Sequence, residues 1–97
     1  MNKLMKLMLV LWLLSPSASL ADFDAGVDAF RSGDFETAHR ELQPLAEAGD
    51  VKSQHLLGVL YANGFGIDAD PDKAKMWYRS AAEQGDARAQ YSLGVMY

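Results

Sequence analysis

No cysteine occurs anywhere in the 97 residues. A disulfide framework, a thiolate nucleophile, a cysteine zinc site and a thiol-linked lipid are therefore all excluded. Two histidines are present, His39 and His55, on different helices and with no clustered glutamate to complete a metal site. Basic residues are also scarce, nine Lys/Arg against thirteen Asp/Glu for a formal charge of −4. That argues against nucleic acid, which is bound through a basic stripe that displaces counterions. The serine-hydrolase signatures Ser-x-x-Lys, Lys-Thr-Gly and Gly-x-Ser-x-Gly are absent, so nothing supplies an activated nucleophile with its base. No alternating run of β-branched residues is long enough for a strand. No catalytic residue, metal ligand or cofactor is assigned.

Long hydrophobic runs are missing as well. The uninterrupted apolar run Leu7–Leu14 is eight residues, where a membrane span needs roughly 20. Lys3 and Lys6 precede this run, and Ser15-Pro16-Ser17-Ala18-Ser19-Leu20-Ala21 follows it. The layout is that of a secretory leader, with Ser19 and Ala21 as the small residues before a cut after Ala21. Residues 1–21 are thus read as a signal peptide, and the mature chain 22–97 as one exported domain, periplasmic or secreted, with no stable membrane span. Removing Lys3 and Lys6 leaves seven Lys/Arg against thirteen Asp/Glu, a formal charge of −6.

What the mature chain does contain is a repeat. Ala46–Tyr61 reads AEAGDVKSQHLLGVLY, and Ala82–Tyr97 reads AEQGDARAQYSLGVMY thirty-six residues later, with nine of sixteen positions identical. A period in this range marks a solenoid, whose units are too small to bury their own apolar faces and stack on their neighbours. The fold class expected is all-α, an antiparallel helix-pair solenoid (α/α superhelix). Its function belongs on a surface.

The run from Leu56 to Tyr97 carries LG, Y, G-x-G, D, KA, WY, AA, QGD, AQ, LG and MY in order. It resembles the Sel-one-like repeat family, relatives of the tetratricopeptide repeats. GDFETA, within Phe23–Asp50, fits the shorter tetratricopeptide turn more loosely. The resemblance implies a degenerate first unit at 22–49, a full repeat at 50–85 and the first helix of a truncated repeat at 86–97. It also implies a non-catalytic interaction module. A cell-wall or polysaccharide-associated adaptor is an alternative. A β-lactamase-like hydrolase, a role associated with cysteine-rich members, is a weaker one.

In chain order, a first helix is expected over about Asp24–Ser32, stopped by Gly33, with Asp34 capping the next. The second helix carries Phe35, Ala38, Leu42, Leu45 and Ala46 as one apolar stripe, with a kink or break near Gln43–Pro44. Gly49-Asp50 and Gly85-Asp86 repeat the stop-and-cap punctuation, giving tight antiparallel turns. In the helix Asp50–Ala62 the packing set is Ser53, Leu57, Gly58 and Tyr61. Gly58 is expected to admit a partner backbone, and Gly94 to repeat that role. Phe65 and Ile67 should fold back onto helix ends. Asp68, Asp70 and Asp72 suggest calcium, yet an EF-hand loop from Asp68 would need Gly and Glu where Lys73 and Arg79 stand. Asp70 as N-cap, Pro71 as first helical residue and Asp72 at the positive helix end explain them instead. Pro71–Gln84 packs through Ala74, Trp77, Tyr78, Ala81 and Ala82.

Lys52, His55, Val59 and Ala62 step along one helix face by three or four, and Arg88, Tyr91 and Val95 recur at matching places. Lying outside the packing set, they form the candidate stripe for a partner protein or peptide. Leu93, Met96 and Tyr97 should lack their usual cover. Either the sequence is a piece of a longer array, or another molecule, a second copy included, covers that end.

Overall fold

The structure is a computed structural model that describes residues 21–97. The leader peptide expected over residues 1–21 lies, apart from Ala21, outside the described residues. Five α-helices follow in order: α1 Phe23–Ser32, α2 Phe35–Glu47, α3 Val51–Asn63, α4 Pro71–Glu83 and α5 Ala87–Met96. Among the described residues there is no strand, and no helix is long and apolar enough to cross a membrane.

Each helix starts on an aspartate, because a carboxylate satisfies N–H groups that have no partner in the first turn. Asp22 accepts from the N–H of Asp24 and Ala25, which starts α1 one residue earlier than expected. Asp34, Asp50, Asp70 and Asp86 accept from the N–H of Thr37, Ser53, Lys73 and Ala89. Asp70 is therefore a cap, with Pro71 in the first turn behind it. Each such cap contributes about 1 kcal/mol.

The helix ends repeat too. At Gly49, φ +102, the N–H reaches Ala46 O and the next N–H, of Asp50, reaches Leu45 O. At Gly85, φ +94, the same pair of bonds runs from Gly85 N to Ala82 O and from Asp86 N to Ala81 O. Only a left-handed residue closes this motif, and glycine adopts that conformation without a Cβ penalty. The resulting turns are so short that α3 folds back on α2, and α5 on α4.

No break occurs at Pro44. Helix α2 continues to Glu47, because the proline removes one bond near the helix end only. The carbonyl left without its partner belongs to Arg40, an exposed residue. Beyond it, Ala48 N donates to Pro44 O at 3.0 Å, and Leu42 and Ala46, buried on either side, hold the turn in place.

The core runs through the middle of the stack. Ala29, Ala38, Leu42, Ala46, Leu57, Leu60 and Trp77 form one cluster, and Ala74, Tyr78, Ala81 and Ala89 a second. Helix α3 lies between α2 and α4, so it buries more than one face: Ser53, Leu57 and Gly58 as expected, and also Gln54 and Leu60. Gln54 works as a clamp, its side-chain N–H donating to Ala46 O at 3.1 Å while its oxygen accepts from Gln84. One repeat on, Gln90 donates to Ala82 O at 3.2 Å.

Gly58 marks a close approach, although to a ring rather than to a backbone. A Cβ there would stand 2.5 Å from Cδ1 of Tyr78. Gly94, at the equivalent place in α5, has nothing within 4 Å, so the crossing expected there is not formed. The contact at Gly58 is made by α4, and among the described residues none makes it at Gly94. Gly26 makes the matching crossing in α1, where a Cβ would stand 2.8 Å from the Leu42 side chain. Leu42 and Tyr78 are thirty-six residues apart, so the two crossings are one motif used twice.

The long loop after α3 folds inward. Phe65 stacks on Phe35 with ring centroids 4.7 Å apart, and Phe35 meets Phe30 edge-on at 5.7 Å. Ile67 is half-buried against the first cluster. At the other end, Leu93 and Met96 are half-buried, whereas their repeat partners Leu57 and Leu60 are fully buried. Tyr97 is 73% exposed. Arg79 donates to its hydroxyl, and Lys75 Nζ lies 5.0 Å from its ring centroid.

Candidate functional site

The alternate helices α1, α3 and α5 are the first members of successive helix pairs, and together they line a groove of about 350 Å³. Helix α1 contributes Phe23, Val27, Phe30 and Arg31, α3 contributes Lys52 and Leu56, and α5 contributes Arg88. The spacing explains the α1 wall: positions 23, 27 and 30 fall on one face, one turn above another. That stripe was readable from the sequence by the same three-and-four rule, yet the repeat drew attention to α3 and α5. The four apolar residues are half-buried, and the three basic ones are exposed around them. At this size the groove stands at the lower end of the range for small-ligand sites.

A second, shallower depression of about 250 Å³ lies between α3, α4 and α5, lined by Ala62, Tyr78, Tyr91, Ser92, Val95 and Met96. The expected stripe is therefore divided. Lys52 and Arg88 belong to the first groove, and Ala62, Tyr91 and Val95 to the second. Tyr91 and Val95 are 76% and 68% exposed. His55 and Val59 turn inward: Val59 packs against the second core cluster, and the His55 ring centroid lies 5.9 Å from that of Tyr78. The placement of α3 between two helices takes these two residues into the packing set, from which the sequence reading had left them out.

His39 Nε2 shares a hydrogen bond of 3.1 Å with the Tyr61 hydroxyl, and Lys73 Nζ lies 5.3 Å from the Tyr61 ring centroid. His55 Nδ1 is buried without a hydrogen-bond partner. Burial, and then the Lys73 charge, hold His39 below the ordinary histidine range. Burial lowers His55 as well, helped by Arg88 and partly opposed by Asp86.

A lowered histidine pKa means that the unfolded chain takes up a proton at about pH 6.5, while the folded chain resists it until lower pH. The stabilisation is complete above about pH 6.5 and is lost as pH falls through the histidine range. The urea midpoint is accordingly expected to fall between pH 7.5 and pH 5.5, and His39→Gln with His55→Gln should flatten that slope. Asp34, lowered by its hydrogen bonds to Thr37, adds its loss only further down, in the carboxylate range near 4. A midpoint level across the histidine range would contradict both shifts.

The Sel1 repeat family model matches residues 51–86 and 87–97. No curated protein matches the chain. Sel1 repeats in general mediate protein–protein interaction and are non-catalytic modules. With helices α3, α4 and α5 packed in sequence, Gly58 against Tyr78 and the glutamine clamp repeated at Gln54 and Gln90, residues 51–97 are similar to the Sel1 repeat family.

Proposed function

We propose that the chain is a non-catalytic interaction module of an exported compartment, periplasmic or secreted, and that it binds a partner protein or peptide on the face made by α1, α3 and α5. The observation that carries this reading is the groove itself, to which three successive first helices contribute residues. Stacked helix pairs offer partners this extended surface, built from equivalent positions in each unit. Residues 22–49 serve as the first unit, since α1 supplies the largest share of the lining. The leader-like pattern of residues 1–21 supports export.

Lys52, Arg88, Tyr91 and Val95 are the exposed members of the stripe, and the first three test the reading without disturbing the core. Replacing all three with alanine should abolish capture of the partner from the exported fraction. Exposed substitutions typically change stability by no more than about 0.5 kcal/mol each, so the three together should lower the melting temperature by no more than about 6–12 °C. Undiminished capture by a variant that melts normally would place the partner surface elsewhere.

A further inference from the structure

Charge is distributed unevenly over this molecule. All thirteen acidic residues lie within 22–97, yet none lines the groove, whereas Arg31, Lys52 and Arg88 do. These are three of the seven Lys/Arg in that part of the chain. Among the described residues Arg31 and Lys52 form no ion pair, and Arg88 meets Asp86 through one contact of 3.6 Å with its side chain 62% exposed. Asp86 is already engaged as a cap, accepting from Ala89 N at 3.2 Å. The cations are thus available to a ligand, and between them lies the half-buried apolar surface of Phe23, Val27 and Leu56.

We propose that the groove takes an acidic peptide segment carrying large apolar side chains, with the apolar groups on the floor and the carboxylates on Arg31, Lys52 and Arg88. This rests on the reading of the groove as the partner surface and adds the partner's chemistry. An acidic segment is repelled by most of this acidic surface and attracted at the groove, so complementarity fixes where it docks more than how tightly. A basic segment meets the opposite pattern and is turned away at the rim. Each exposed pair strengthens binding by roughly 1.5- to 5-fold, and three together by roughly 3- to 100-fold.

The test uses the full chain and fluorescein-labelled ten-residue peptides, read by fluorescence anisotropy. One peptide carries two leucines among glutamates, a second has lysine for every glutamate, and a third has serine for both leucines. The glutamate–leucine peptide is expected to bind at least about tenfold more tightly than the lysine peptide, more weakly as salt rises, and measurably better than the serine peptide. Arg31→Glu, Lys52→Glu and Arg88→Glu together should reverse the charge preference. The single changes, each expected to lose a few-fold, serve if the triple variant does not fold. Equal or tighter binding of the lysine peptide, a preference that survives charge reversal, or no binding of the glutamate–leucine peptide up to about millimolar concentration would each overturn the proposal. In those cases, partner capture that still depends on Lys52 and Arg88 would leave the groove reading standing with the peptide chemistry wrong. Capture indifferent to those residues would remove the groove reading as well.

Discussion

Replacing Trp77 with alanine is expected to cost about 3–5 kcal/mol, the usual range for emptying a tryptophan site in a packed interior. Trp77 is only 9% exposed and belongs to the cluster containing Ala38, Leu57 and Leu60. It therefore joins α4 to α3 and, through Ala38, to α2. A domain of this size has roughly 4–11 kcal/mol of stability in total, so the loss takes a large share of it. At about 4–8 °C per kcal/mol the melting temperature should fall by more than 10 °C. Far-UV circular dichroism of the two chains would show this, and a shift of a degree or two would mean that the indole is not part of the core.

Gly58→Leu is the second large effect expected, with the opposite cause. A Cβ at position 58 would stand 2.5 Å from the Tyr78 ring, a distance that real side chains do not tolerate, and leucine brings three further carbons. Tyr78 is itself 4% exposed and sits in the second cluster, so the ring has little room to retreat. Overpacking of this kind costs about 1–3 kcal/mol, and the urea midpoint should drop accordingly. Gly94→Ala provides the contrast at the matching position of the next repeat. Nothing lies within 4 Å of that position, and alanine is the better helix former by about 1 kcal/mol, so the midpoint should hold or rise. Equal losses at 58 and 94 would show that the effect comes from the helix backbone and not from the crossing.

These two glycines illustrate how far the sequence could be read. Both occupy the LG pair of the repeat, and nothing local distinguishes them. The same holds for Leu57 and Leu93, fully buried and half-buried in matching helices. Gly26 escaped notice because the turn at Gly33-Asp34 is shorter than the loop after α3, which moves α1 out of the thirty-six-residue register. A single amphipathic stripe in α3 does not reveal Leu60 and Gln54, because a helix between two others has two faces to bury. Pro44 was given too much weight, since one missing bond close to a helix end is outweighed by the burial of Leu42 and Ala46.

The sequence by itself determined the helices and their limits. Aspartate caps and left-handed glycines act through hydrogen bonds that span no more than six residues, so their effects are written where the residues stand. It also determined the acidic balance and the Sel1 motif positions. Only the tertiary structure decided which repeated residues are buried, that His55 and Val59 turn inward while Lys52 and Arg88 share a groove, and that α1 furnishes most of its lining. Burial depends on what stands opposite a side chain, and in a stack of helix pairs the opposing residue stands 16 positions away at the Gly26–Leu42 crossing and as many as 65 across the groove from Phe23 to Arg88.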